Sequence, residues 1–260
     1  MRTADRDEEP APASPVLAGP PIALAETCRV GGGAIPLWEW HRARLLAGGC
    51  PTALLEKVER EVGAAIARYP GERTSRLRLH VEIGTDGTVE VEIARALSSL
   101  DVVGGPVIAF VRCTELPSMP SLPPHAAKPA DRSWWDAAAR VARRRGAHQA
   151  VIVDPDGLIL DGSSASVWAV IANRLVTPPG PPAIEGVARQ VVLERAAGLG
   201  LEATVGPVRR SDIEHAEEVL LTNAFGGAVP ARGRGGPVSD TVRELFATAF
   251  GTAHKAEAGV

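Results

Sequence analysis

The spacing of apolar and polar positions changes period several times along this chain, and each change marks an element. Pro21 to Val30 reads as extended and is closed by the turn Gly31-Gly32-Gly33. Trp38 to Gly48 sets His41, Arg44 and Leu45 three and four apart, which puts them on one face of a short helix. A second helix carries the apolar stripe Leu54, Leu55, Val58, Val62, Ala65 and Ile66, with Thr52 as its expected cap, and stops before Pro70-Gly71. Alternation of period two then predicts a hairpin with one wet face, Arg76 to Ile83 and Val89 to Ala96 around Thr85-Asp86-Gly87-Thr88. Pro106 to Val111 adds one more strand.

Glu115 to Pro124 can be neither helix nor central strand, because proline fixes φ and lacks the amide donor. It reads as a linker. Beyond it a helix starts at Ser133, where Asp136 three residues on resembles a capping box, and ends in Arg143-Arg144-Arg145. Cations suit a helix C-terminus, so this basic run is a helix end and not a nucleic-acid patch. Trp134 and Trp135 read as core packing.

The most informative stretch follows. Gln149 to Val153 is an apolar strand, Asp154-Pro155-Asp156-Gly157 has the residue order of a type I turn, and the next strand delivers one carboxylate, Asp161, into the Gly/Ser-rich bend Gly162 to Ser166. A further hairpin, Val167 to Ile171 and Leu175 to Thr177, turns at Asn173 and leads into the proline-rich loop Pro178 to Pro182. Glu185-Gly186-Val187-Ala188-Arg189 opens a helix that ends at Gly198 to Gly200. Strand Leu201 to Val205, a Ser211-capped helix, strand Val219 to Thr222, a loop from Asn223 to Pro230 and a helix from Ser239-Asp240 to Phe250 complete the pattern.

Composition narrows the function classes. The 260 residues are 45% hydrophobic, enough for a substantial core, and 28 basic against 31 acidic residues leave a net charge of -3 with no general pull toward nucleic acid or membrane. Three cysteines without C-x-x-C spacing argue for a reducing compartment and against a disulfide frame. No stretch has the ~18 apolar residues of a spanning helix, so a cytoplasmic location is expected. No histidine shows metal-ligand spacing, so no metal is expected, and Ser163 and Ser164 lack the elbow of a nucleophilic hydrolase.

Three features could act together: Lys128, Asp161, and the helix start at Gly186 to Ala188 with Arg44. A lysine near buried apolar surface loses its charge readily and can attack a carbonyl. A fixed carboxylate can keep a pyridine nitrogen protonated, while helix-start amides and a guanidinium suit a phosphate. Those are the protein groups that pyridoxal phosphate needs.

In order and spacing, several segments resemble the class IV aminotransferase family, the fold-type IV pyridoxal-phosphate enzymes, near its aminodeoxychorismate lyase and D-amino-acid aminotransferase branch. They are Ala25-Glu-Thr-Cys-Arg-Val30, His41-Arg-Ala-Arg-Leu45, Ala127-Lys128-Pro-Ala-Asp-Arg132, Asp156 to Trp168, Glu185-Gly-Val-Ala-Arg189 and Ala216 to Ala224. The resemblance implies an α+β fold with a small N-terminal domain (21–114), a proline-rich linker (115–126) and a larger, β-barrel-like cofactor domain (127–252). A disordered lead-in (1–20) and a tail (253–260) would flank them. It implies that Lys128 holds pyridoxal 5'-phosphate covalently and moves the α-proton, and that Asp161 faces the ring nitrogen. Arg44, Gly186, Val187 and Ala188 would hold the phosphate, Asn223 and Ala224 would complete that cup, and Ser164 and Thr27 would line the cofactor and substrate sides. The implied reaction is release of pyruvate from an amino-substituted chorismate; the alternatives are amino transfer between a small amino acid and a 2-oxo acid, or a catalytically degenerate binding protein. A homodimer is implied. The family carries glutamate where Asp161 stands and asparagine where Ser166 and Asp131 stand, and its opening strands are replaced here by a Pro/Ala-rich segment.

Overall fold

The computed structural model describes residues 18–69 and 76–256, with side chains to 251; most of the expected lead-in, the Pro70-Gly71 stop and the end of the tail lie outside the described residues. Strand β1 (Leu24–Val30) is followed by helices α1 (Trp38–Ala47) and α2 (Thr52–Arg68) and by the hairpin β2 (Leu77–Ile83) and β3 (Val89–Arg95). The three strands form an antiparallel sheet in the order β1-β2-β3. Alternation along β2 buries Leu77, Leu79, Val81 and Ile83 against Leu54, Leu55, Val58 and Val62 of α2 and leaves Arg78, His80 and Glu82 on the other face.

Strand β4 (Ile108–Arg112) leaves this sheet and pairs in parallel with β5 (Gln149–Val153), which pairs with β6 (Ile159–Gly162). The change of sheet therefore falls before Ile108, whereas the proline pattern set the boundary at 114, because β4 buries Val111 with the core of helix α3 (Ser133–Arg144). A five-stranded sheet, ordered β11-β10-β7-β8-β9, is built from β7 (Ser166–Ile171), β8 (Arg174–Thr177), β9 (Glu202–Val205), β10 (Glu218–Asn223) and β11 (Gly227–Pro230). Helices α4 (Val187–Arg195), α5 (Arg210–His215) and α6 (Pro237–Ala256) complete the chain. The described strands form open sheets and no closed barrel, which corrects the barrel-like expectation.

Three expected caps are displaced, two of them by carboxylates. Thr52, Ser133 and Ser211 are inside their helices, and the cap positions are Pro51, Arg132 and Arg209. Nearby carboxylates do the capping: Asp131 accepts the amide of Ser133 at 2.9 Å and Asp212 that of Arg209 at 2.7 Å. Glu218 of β10 likewise accepts the amides of Val238 and Ser239 at 2.9 and 2.7 Å, so α6 starts at Pro237. Residues 227–230, expected as loop from their Gly and Pro content, pair with β10 from Asn223 opposite Gly227 to Leu220 opposite Pro230.

Candidate active site

The three sheets meet at a cavity of about 360 Å³. All ten residues singled out from the sequence line it: Thr27, Arg44, Lys128, Asp161, Ser164, Gly186, Val187, Ala188, Asn223 and Ala224. They come from β1, α1, the segment before α3, β6 and its bend, the start of α4, and the end of β10.

Lys128 is placed by main chain. The Ala25 amide donates to the Lys128 carbonyl at 3.0 Å and the Ala130 amide to the Ala23 carbonyl at 2.8 Å, so this segment lies along the open edge of β1. Gly48, at the end of α1, permits the close approach, since a Cβ there would meet the Ala127 Cβ at 2.8 Å. The lysine ε-amine donates to Thr27 Oγ1 at 2.7 Å. Burial, reinforced by the nearby Arg132 guanidinium, brings its pKa down to about 7, so an uncharged amine is accessible near neutrality.

Arg44 is fixed by a carboxylate that the motif reading passed over. Its Nε donates to Glu26 Oε1 at 2.8 Å, its Nη2 to Glu26 Oε2, and its Nη1 to the Glu185 carbonyl at 3.2 Å. His41 Nδ1 lies 2.6 Å from Glu26 Oε2. Glu26 and His41 are almost wholly buried. Burial alone would raise the pKa of Glu26, but the charge of Arg44 and the contacts with His41 hold it well below the usual carboxylate range. The i, i+3 spacing of His41 and Arg44 was visible in the sequence; that both converge on Glu26 depends on how α1 packs against β1.

Asp161 sits in a different environment. Trp135 Nε1 and the Ile184 amide donate to Oδ2 at 2.8 and 3.2 Å, and the Gly162 amide donates to Oδ1 at 2.8 Å. Those donors favour the anion, yet burial prevails and pushes its pKa up to about 6. Trp135 thus has a polar task beside its core packing. Arg132, also absent from the sequence reading, stacks 4.9 Å from the Trp135 ring and donates to the Ser163 carbonyl at 2.7 Å.

The remaining lining residues divide by what their side chains already hold. Ser164 donates to Gln149 at 2.8 Å and lies 2.8 Å from the Ser99 hydroxyl. The Asn223 side chain donates to the Ser164 carbonyl at 3.1 Å and accepts the amides of Phe225 and Gly226, so it fixes the turn from which Ala224 faces the cavity. Gly186 caps α4, leaving Val187 and Ala188 with the unpaired amides of a helix start.

A phosphorylated pyridine carbaldehyde fits these residues. The helix-start amides and Arg44 offer donors and positive charge to a phosphate. Asp161 is a buried carboxylate hydrogen-bonded only by uncharged donors, with the Arg132 charge nearby but not in hydrogen-bond contact, and a protonated ring nitrogen would give it a cation in direct contact. Lys128 offers a desolvated amine.

Residues 23–233 match the amino-transferase class IV family, and the chain belongs to that family. Over 115 residues it is 28% identical to the branched-chain-amino-acid aminotransferase of Escherichia coli (strain K12), a match covering 40% of this chain and 37% of that protein. Identity to the Pseudomonas aeruginosa branched-chain-amino-acid aminotransferase is 24% over 110 residues, covering 39% and 36%. The matched stretch thus spans little more than a third of these relatives' length. Among solved structures, a protein provisionally named 4-amino-4-deoxychorismate lyase is 25% identical with TM-score 0.72, covering 86% of this chain and 89% of that one. A hypothetical aminotransferase from Mycobacterium tuberculosis, in its PLP-bound form, shares the fold at 21% identity, TM-score 0.72, covering 93% and 95%. The observed α+β architecture is accordingly fold-type IV. Among the described residues no helix is long and apolar enough to cross a membrane.

Proposed function

We propose that the protein is a pyridoxal-phosphate enzyme that releases pyruvate from an amino-substituted chorismate. The observation that carries the enzyme reading is the pairing in one cavity of a desolvated lysine, held by Thr27, with a buried carboxylate whose hydrogen bonds all come from uncharged donors. When bound, the cofactor supplies an electron sink that makes a proton on the substrate α-carbon removable. Arg44 and the amides of Val187 and Ala188 bind its phosphate, and Asp161 orients its ring. Lys128, a substantial fraction of which is uncharged near neutrality, would attach it and then take and return the proton at Nζ.

Part of the cavity lining supports the substrate class. Arg78, Ser98, Ser99 and Asn223 line it beside Leu97 and Phe225, a set whose hydroxyls, amide and one guanidinium suit an acidic substrate more than an aliphatic side chain. Amino transfer to a 2-oxo acid is the second reading, favoured by the names of the sequence relatives. The two differ in the fate of the substrate after the same proton is removed. Pyruvate release from aminodeoxychorismate, assayed beside amino transfer to 2-oxo acids, separates them: brisk transfer without pyruvate release overturns the lyase reading.

Borohydride reduction of the yellow protein, with the adduct located by mass, tests the shared step; an adduct elsewhere than Lys128, or none, leaves a binding protein. Lys128→Ala abolishes colour and lowers turnover by at least about 10²–10⁴-fold, the scale of a lost acid–base group. We further read the protein as a cytoplasmic homodimer. Leu97, 84% exposed at the cavity rim, is a large apolar side chain of the kind a partner subunit covers. Sedimentation of wild type beside Leu97→Glu checks this.

A further inference from the structure

The exposed face of the first sheet carries a line of side chains that the proposed chemistry leaves unused. Thr27 on β1 stands opposite His80 on β2, and alternation brings Glu82 to the same face two residues later. Lys128 Nζ donates to Thr27 Oγ1 at 2.7 Å, Thr27 Oγ1 lies 3.3 Å from His80 Nδ1, and His80 Nε2 lies 3.0 Å from Glu82 Oε1. The line begins at a half-buried lysine in the cavity wall and ends on side chains that reach water, His80 being 30% and Glu82 48% exposed.

The hydrogen inventory allows one continuous orientation through all three contacts. An ammonium only donates, so the Thr27 oxygen accepts from it and turns its single hydrogen outward. His80 Nδ1 must then be the acceptor, which places the ring hydrogen on Nε2, where it faces an ionised carboxylate that only accepts. Thr27 and His80 therefore each receive one hydrogen and pass on another.

We propose that Thr27, His80 and Glu82 form a proton relay between the amine of Lys128 and solvent. This rests on Lys128 being the group that takes the substrate proton. When the substrate C–H bond breaks and an N–H bond forms at Lys128, the ammonium passes one hydrogen to Thr27 Oγ1 while the Thr27 hydroxyl hydrogen moves to His80 Nδ1. The Nε2 hydrogen moves to Glu82 and on to water. The reverse sequence restores every group, so no net proton or electron is consumed. His80 acts through Thr27 and is a positioning residue. An ordinary cross-strand polar pair on a wet face would show the same distances without passing protons.

Two measurements separate relay from pair. In the cofactor-free chain labelled with ¹⁵N-histidine, and with the His80 signals assigned through His80→Gln, neutral His80 is the Nε2–H tautomer. Its Nδ1 resonance shifts toward that of an unbonded acceptor in Thr27→Val. An Nδ1–H tautomer, or an Nδ1 signal indifferent to Thr27→Val, overturns the proposal.

The second measurement uses the cofactor-loaded protein and an α-deuterated form of whichever substrate turns over. Wild type loses the label to water, whereas His80→Gln retains about tenfold more of it in product, on the lower side of what a positioned acid–base group contributes. Added imidazole restores the loss in His80→Ala. Unchanged retention, with a borohydride adduct present on Lys128, overturns the relay alone. Absence of that adduct overturns the functional reading and the relay's role with it.

Discussion

Two carboxylates are buried at this site, and they are satisfied in opposite ways. Glu26, 1% exposed, is held between a guanidinium and an imidazole that belong to the protein. Asp161, 6% exposed, receives three uncharged N–H donors, and its charge has no resident counterpart in hydrogen-bond contact. One is a finished structural unit. The other, on the proposed function, is an anion that the ring cation of a bound cofactor completes. Full hydrogen bonding does not make a charge at home in a protein, and the pKa values carry the difference: that of Glu26 is held low, and that of Asp161 rises to about 6.

The comparison is broken most severely at Glu26. Glu26→Ala leaves Arg44 and His41 buried without their counter-ion and costs about 3–5 kcal/mol in denaturant unfolding of the cofactor-free chain, the scale of a buried ion pair that has lost one member. It also loosens Arg44, so the phosphate is held more weakly and cofactor is released on dilution. A loss below about 1 kcal/mol would mean that Arg44 is fixed by the Glu185 carbonyl instead.

Next comes the pH dependence, where the two acids have opposite signs. The folded-state pKa of Glu26 is lowered, so its stabilising contribution is present above the ordinary carboxylate pKa and is lost as pH falls through the folded value. That of Asp161 is raised from 3.8 to about 6, so its contribution is complete below 3.8 and is lost as pH rises through about 6. Such a shift corresponds to about 3 kcal/mol. Asp161→Asn sets an amide N–H against backbone or indole N–H on one side, a cost independent of pH. Relative to wild type, the cofactor-free variant should nevertheless gain up to about 3 kcal/mol between pH 4 and pH 7. Cofactor loading should remove this trend, because a ring cation then keeps the wild-type carboxylate ionised; a flat difference in the cofactor-free chain would show Asp161 already ionised without help.

The smallest effect sharpens the picture. Trp135→Phe keeps most of the packing of a fully buried ring but deletes one donor to Asp161. It costs about 1–2 kcal/mol at neutral pH and less at pH 4, where the carboxyl is protonated and that donor matters less. Equal losses at both pH values would assign the effect to packing.

What was legible in the sequence follows the same division between local and distant partners. Lys128, Arg44 and Asp161 were readable because each stands in a short motif whose own backbone presents it. The strands around Asp161 were readable because five successive residues of β5 are all buried, which demands an unbroken apolar run. Glu26, His41 and Trp135 carry as much of the site, but their partners lie 15 to 26 residues away on other elements. Packing alone brings them together. The helix starts misled in a milder form: Thr52, Ser133 and Ser211 have the chemistry of caps, yet Asp131 and Asp212 occupy the positions from which a side chain reaches a free amide. The pairing of β4 with β5 was hidden because an isolated strand does not announce which sheet it joins.

The segment bearing Lys128 is stitched to β1 by amide-to-carbonyl bonds at the lysine's own carbonyl and two residues beyond it, and Thr27 hangs from the same strand. Main-chain bonds are blind to the side chains they pass. Neighbouring residues along this seam can therefore drift in identity over generations while amine and hydroxyl stay in register. Substitution reaches the chemistry here by changing those two residues themselves, by altering the charged neighbours Glu26, Arg44 and Arg132 that bear on the amine, or by adding bulk at Gly48, where a Cβ would meet Ala127.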